Sequence, residues 1–211
     1  LCRNATAFAE DGSIAEDAYR QLLQRLVDAK IGVYLASAGS GESGAMTNDE
    51  LKRVYRIGVE VCKGRVAACG NPPEQPTVRE TLHHINLAIE GGVELVNIYG
   101  PAGWHSYRPT DDEFRGFFDE LLPQVKHPVS LAPNTTIGYA PNAAMIAGIC
   151  HKYSQVAAVH LVSQDDDYFI ELKDRLKRDV ALYAPLNGSL DMLLMGAAGV
   201  IGAELNMLPR T

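Results

Sequence analysis

A (β/α)8 barrel is the fold class the sequence predicts, and three observations predict it. Short apolar or β-branched runs recur at intervals of roughly thirty residues, amphipathic stretches lie between them, and hydroxyl–acid pairs mark the starts of those stretches. The runs are Ile31 to Ala36, Arg65 to Cys69, Val93 to Tyr99, Pro128 to Ala132, Val156 to Val162, Val180 to Ala184 and Gly199 to Ala203. Each is too short for a helix and nearly continuous in apolar character, as expected of parallel strands buried on both faces. Arg3 to Phe8 supplies an eighth strand at the N-terminus.

The intervening segments carry apolar residues at helical spacing, as in Tyr19, Leu22, Leu23, Leu26 and Val27, and again in Phe114, Phe117, Phe118 and Leu121. Four capping boxes are predicted at Ser13/Glu16, Thr47/Glu50, Thr77/Glu80 and Thr110/Glu113, where a hydroxyl satisfies one orphan amide and an acid reaches back to another. Asp165, Asp166 and Asp167 fit a further helix start, since negative charge there opposes the helix dipole. These features are scaffold and carry no chemistry.

An open, doubly wound sheet shares the alternating pattern and differs in strand order, but eight βα repeats favour the closed barrel. The 211 residues fit one domain, residues 1–211, because a single core grows to about 250 residues before splitting. Pro209-Arg210-Thr211 follows directly on the last strand, so the sequence reads as truncated before an eighth helix, or as leaving that strand's outer face to a partner.

Composition narrows the partners. A net charge of −7 without a block of Lys and Arg argues against nucleic acid. No apolar run approaches the ~20 residues of a membrane span. Cys2, Cys62, Cys69 and Cys150 fall in no metal-ligand spacing and read as free thiols. No basic stretch followed by an apolar one opens the sequence, so a cytoplasmic protein is expected, and the glycosylation patterns at Asn4 and Asn134 read as chance. His83 and His84 are adjacent rather than four apart, which is the wrong spacing for a helical zinc pair; no metal and no cofactor is expected.

Gly39-Ser40-Gly41-Glu42-Ser43-Gly44 matches the G-x-G-x-x-G dinucleotide pattern between a strand and a helix. The following strand, however, ends in Ala67-Ala68-Cys69-Gly70-Asn71 without the acid that would hold a ribose. The other use of such a loop is an anion site, in which the Ser40 hydroxyl and the amides of Gly39 to Gly41 receive a small carboxylate. Polar residues at other expected strand ends are Asn71, Tyr99, His105, Tyr107, Asn134, Thr135 and His160. Trp104 and Tyr107 either line the pocket mouth or pack against another subunit. A histidine with ordinary pKa near 6.5 suits general acid/base work, and the alternative for His160 is a hydrogen-bonded core residue.

Five motifs occur in order along the chain: Thr6-Ala7-Phe8, Asp11-Gly12-Ser13-Ile14, Ala38-Gly39-Ser40-Gly41-Glu42 with Thr47-x-x-Glu50, Tyr107-Arg108-Pro109-Thr110, and Gly196-Ala197-Ala198-Gly199-Val200-Ile201 with Asn206 and Pro209. In these the chain resembles the dihydrodipicolinate synthase / N-acetylneuraminate lyase family, a class I aldolase-like group. The resemblance implies a (β/α)8 barrel followed by a helical segment that this sequence lacks, a homo-oligomer (tetramer or dimer), and a strand-six lysine that forms an imine with a 2-keto acid. Here His160 stands at the lysine position, Ala132 stands where the family's proton-relay tyrosine would be, and Ser106 corresponds to its second tyrosine. The chain therefore reads as a divergent member lacking the Schiff-base lysine.

Three functions follow from this reading. The first is a lyase- or aldolase-class enzyme acting on a small keto acid or other carboxylate. In it, His160 and Tyr107 are the candidate catalytic residues, and Gly39, Ser40, Gly41, Tyr99, His105, Asn134 and Thr135 the candidate binding residues. The second is a binding or regulatory homologue without chemistry. The third, a nucleotide-dependent oxidoreductase, rests on the glycine loop alone.

Overall fold

The computed structural model describes residues 1–103, 107–133 and 139–209. Eight strands, β1 (Cys2–Arg3), β2 (Val33–Leu35), β3 (Ala68–Gly70), β4 (Leu95–Ile98), β5 (Val129–Leu131), β6 (Val156–His160), β7 (Ala181–Pro185) and β8 (Gly199–Ile201), form one sheet in sequential order. Each of the first seven is followed by a helix: α1 (Glu16–Asp28), α2 (Asn48–Cys62), α3 (Val78–Glu90), α4 (Asp111–Leu121), α5 (Ala143–Lys152), α6 (Asp166–Arg175) and α7 (Ser189–Leu194). Sequential order excludes the doubly wound sheet, which needs a reversal of strand order. The fold class is (β/α)8.

Contacts divide the chain into two compact units, one of Leu1–Pro73, His83–Val96 and the segment from Gly202 onward, the other of Glu74–Leu82 and Asn97–Ile201. In the first unit, parallel pairing runs from Cys2↔Val33 through Val33↔Ala68 to Cys69↔Leu95. The two ends of the chain meet there, because Arg3 N–H donates to Gly202 O at 3.0 Å and Gly202 N–H to Leu1 O at 3.2 Å. Asn206 ties them further: its Oδ1 accepts from Ala5 N–H at 3.0 Å and its Nδ2 donates to Arg3 O at 2.9 Å. The expected first strand, Arg3 to Phe8, is shorter and earlier than its apolar pattern suggested. Beyond Arg3 the chain turns away, and Phe8 pairs with Ile14 in an antiparallel bridge.

In the second unit, Ala132 N–H donates to Ile98 O at 2.9 Å, and Ser130↔Ala158, Leu131↔Val159, His160↔Tyr183 and Pro185↔Ile201 set the register onward. Pairing shifts between Val129↔Val156 and Ser130↔Ala158, so β6 carries one extra residue there, a β-bulge. Period-two alternation then sorts the side chains. Ile98, Val129, Leu131, Val159 and Leu161 are buried apolar residues, and Gly100, two residues beyond Ile98, lies so close to Phe114 of α4 that a Cβ would approach that ring to 2.9 Å. That face is the helix-covered one. The opposite face carries Asn97, Ser130, Ala132, Ala158 and His160, all buried and all small or polar.

Helix starts follow the predicted caps in part. Thr47 and Thr110 form complete boxes: each hydroxyl accepts from the amide three residues on at 3.3 Å, and Glu50 and Glu113 accept from the cap amides at 2.7 and 2.8 Å. Those bonds hold both glutamates below the usual carboxylate range. Thr77 accepts from Glu80 N–H at 3.3 Å. Asp165 caps α6 through Tyr168 N–H at 3.0 Å, as expected, and Asn142 caps α5 through Met145 N–H at 2.8 Å. Ser13/Glu16 is not a box. The cap of α1 is Ala15 without a side-chain bond, Ser13 donates its hydroxyl to Asp11 at 2.7 Å, and Glu16 forms an ion pair with Arg53. On α7, Leu190 and Leu194 are 69% and 78% exposed, and Val200 of β8 is only half-buried.

Two predictions follow. Thr47→Ala and Thr110→Ala should each lower stability by about 1 kcal/mol in urea unfolding, whereas Ser13→Ala should change it by a few tenths at most. A loss at Ser13 equal to that at Thr47 would contradict the assigned caps. Asp11, Glu16, Glu50, Glu90, Glu113 and Asp119 all have lowered pKa values in the fold. Folded values below unfolded ones bring stability that is present above the unfolded carboxylate range and lost as pH falls through the folded values. The thermal midpoint should therefore hold down to about pH 5 and fall below about pH 4.

Candidate functional site

Within each unit, polar side chains lie where strands end. In the first, β2 passes into a segment whose backbone is committed early. Ala36 has φ +58°, Gly41 N–H donates to Ser37 O at 2.9 Å and to Ser37 Oγ at 3.2 Å, and Thr6 Oγ1 donates to Gly41 O at 2.8 Å. A Cβ on Gly41 would lie 2.7 Å from Ser37 N, so only glycine permits this close approach. The glycine loop was expected between a strand and the helix that Thr47 caps. There a 3-10 turn, Ser43–Ala45, intervenes before Thr47 caps α2, and the Gly41 amide is already bonded within the loop. Gly41 therefore shapes the loop and has no free amide to offer a ligand. Gly39 is exposed and Ser40 half-buried, with no hydrogen bond from either to the described residues. Asn71, just past β3, is fully buried, and its N–H donates to Leu35 O at 2.8 Å.

In the second unit, His160 is the last residue of β6 and is 2% exposed; Ala132 follows β5 and is 1% exposed. Tyr99 follows β4 and is half-buried, while Tyr107 is 42% exposed. Partial burial and the Glu113 charge raise the Tyr107 pKa, which keeps its hydroxyl protonated and able to donate. Trp104, His105, Ser106, Asn134 and Thr135 lie outside the described residues.

The ends of β5 and β6 are fastened by Gln164, which sequence reasoning did not single out. Its Oε1 accepts from Val162 N–H at 2.8 Å and Ser163 N–H at 3.1 Å, and its Nε2 donates to Pro133 O at 2.8 Å. One buried amide thus holds the segment that leaves His160 against the segment that leaves Ala132. Asn97 and Ser130 were also missed. Their signal was present, because each is the single strongly polar residue inside an otherwise apolar strand.

Other reactive groups are held away from chemistry. All four cysteines are buried, and burial pushes Cys62 and Cys150 up to about 11 and Cys2 and Cys69 up to about 12, so none is a thiolate near neutrality. The seven lysines sit within helices (Lys52, Lys152, Lys173) or between a helix and the next strand (Lys30, Lys63, Lys126, Lys177). None lies at a strand's C-terminal end. His83 meets Asn48 at 3.0 Å, and among the described residues no three His, Cys, Asp or Glu side chains are placed to share a metal ion.

A (β/α)8 scaffold with polar residues at the C-terminal ends of its strands defines a class in which chemistry occurs at that end. The chain belongs to the dihydrodipicolinate synthetase family, whose model matches residues 2–211. Among curated proteins it is 24% identical to 4-hydroxy-tetrahydrodipicolinate synthase of Chlorobium phaeobacteroides, over 98% of this chain and 69% of that protein. It is 26% identical to the enzyme of the same name from Thermus thermophilus, over 94% of this chain and 66% of that protein. Among solved structures, dihydrodipicolinate synthase from Aquifex aeolicus superposes with a TM-score of 0.89 at 21% identity, covering 99% of this chain and 70% of that one. A prophage protein of the family from E. coli K12, solved in complex with pyruvate, gives 0.88 at 19% identity over the same shares of the two chains.

The thiol environment yields a direct check. Ellman's reagent should label less than one thiol per chain in the native protein at pH 7.5 and all four after denaturation. Rapid labelling of a native cysteine would show that the burial assigned to it is wrong.

Proposed function

We propose that the chain is a lyase-class member of its family that acts on a small keto acid or other small carboxylate without a lysine imine. The observation that carries this reading is His160. A buried histidine ends β6 at the position that the resemblance gives to lysine, while every lysine of the chain lies in a helix or on the helix-to-strand side. An imine needs a primary amine at the reacting carbon. Imidazole cannot supply one, but it can accept and return a proton near neutral pH.

In this reading Ser40, with the backbone of Gly39 and the turn that Gly41 permits, receives the carboxylate. His160 takes the proton from the carbon next to the keto group and later returns it. Tyr107 donates from its protonated hydroxyl, and Tyr99, His105, Asn134 and Thr135 complete the binding set. Ala132, just past β5, has no hydroxyl with which to relay a proton. That same double replacement favours a second reading, in which the chain binds a small carboxylate and performs no chemistry.

One measurement separates both readings from imine chemistry, and a second separates them from each other. Incubation with pyruvate and borohydride, followed by mass spectrometry, should give no reduced adduct, and an adduct on any lysine would restore the imine mechanism. Exchange of the pyruvate methyl protons in D2O, followed by NMR, should be catalysed by the wild type and slowed ~10²–10⁴-fold in His160→Gln, with folding retained. No exchange by the wild type favours the binding homologue. Equal exchange per folded molecule in the variant makes His160 a packing residue.

A further inference from the structure

The inner face of β4, β5 and β6 holds three polar side chains among small ones, and one of them has no hydrogen-bond partner among the described residues. Asn97, Ser130 and His160 are 1%, 0% and 2% exposed. Asn97 and His160 are engaged with neighbours, whereas the Ser130 Oγ has no hydrogen-bond partner among the described residues. Buried hydroxyls are nearly always bonded, so an orphan on a strand, in a segment with no turn or cap to serve, calls for a partner that the described residues do not provide.

Its location indicates what that partner is. Ser130 pairs with Ala158, and His160 stands two residues further along β6 on the same face. Strand spacing and rise place the two Cα atoms roughly 8 Å apart, which lets a hydroxyl and an imidazole converge on one small group between them. Nothing charged is needed there. Apart from His160, the residues on this face, Asn97, Ser130, Ala132 and Ala158, are not ionisable, and a serine hydroxyl can both donate to and accept from an oxygen.

We propose that Ser130 is a substrate-binding residue, whose hydroxyl holds an uncharged oxygen, keto or hydroxyl, on the carbon that faces His160. A carboxylate substrate is thereby selected for an oxygen at its second carbon. The assignment rests on the reading of His160 as facing substrate, and it adds a specificity determinant to that site. A site that hydrogen-bonds a substrate oxygen rejects the analogue lacking it, because the buried hydroxyl is then left unpaired.

The test compares wild type and Ser130→Ala by thermal midpoint without ligand and by calorimetric titration with pyruvate, lactate and propionate, which share a three-carbon chain and differ in the second-carbon oxygen. Without ligand the variant should be as stable as the wild type or more so, since it loses a hydroxyl that is unpaired among the described residues. A drop of about 4 °C or more would show that the hydroxyl is bonded within the fold and would overturn the proposal. The wild type should bind pyruvate or lactate roughly 2- to 12-fold more tightly than propionate, and the variant should bind all three alike. A wild type without this preference, or a variant that keeps it, also overturns the proposal. His160→Gln measured alongside keeps the two ideas apart. If it exchanges pyruvate protons at the wild-type rate while Ser130→Ala loses the oxygen preference, the acid/base role fails and the binding role of Ser130 stands.

Discussion

Parallel strands joined by helices must bury both faces, and the two faces obey different demands. On the helix-covered side of the second unit, Ile98, Val129, Leu131, Val159 and Leu161 each gain about 1.5–3 kcal/mol from removal of apolar surface from water. On the other side, one buried hydroxyl without a partner costs about 1–3 kcal/mol. The apolar face therefore stabilises the strands by several times what one unpaired hydroxyl costs, which is why Ser130, beside Asn97 and His160 with their own neighbours, can occupy a position that a core optimised for stability would fill with Val or Leu. The polar inner face depends on the apolar outer one.

Family membership sharpens what is unusual here. The scaffold is kept closely enough to superpose on proteins sharing about a fifth of its residues. On the proposed reading, the position of the family's nucleophile carries the His160 imidazole and that of its relay tyrosine the Ala132 methyl group. Lysine ammonium groups are confined to helices and to the segments that feed the strands. Recognition of a carboxylate on the proposed reading is thus left to the Ser40 hydroxyl and the loop backbone.

Legibility of the sequence varied with how local each interaction is. Strand positions could be read because a run such as Val129-Ser130-Leu131-Ala132 has few other homes, and Thr47 and Thr110 could be read because a capping box is complete within four residues. Ser13/Glu16 has the same spacing and fails, since Asp11 captures the Ser13 hydroxyl, the Phe8–Ile14 bridge fixes the entry, and Arg53 from a different helix takes Glu16. The glycine loop misled in a related way. Its letters did not reveal the 3-10 turn or the Ser37 contacts that occupy the Gly41 amide. The placement of His160 and Ala132 at strand ends was legible, whereas Gln164 was not, because its three bonds depend on how two strand ends meet.

The pairing of Arg3 and Ala5 with Asn206 bears on how the chain assembles in time. Every other strand neighbour is one βα unit away, so loops of a few tens of residues suffice to bring them together, and such closures are entropically modest. Asn206 reaches across 201 and 203 residues to Ala5 and Arg3. A contact so distant in sequence repays its closure entropy only once the intervening strands have already shortened the path between the ends. The seam at Asn206 is thus the natural last step of folding, and the strand pair it secures, β1 with the segment after β8, is the natural first to open.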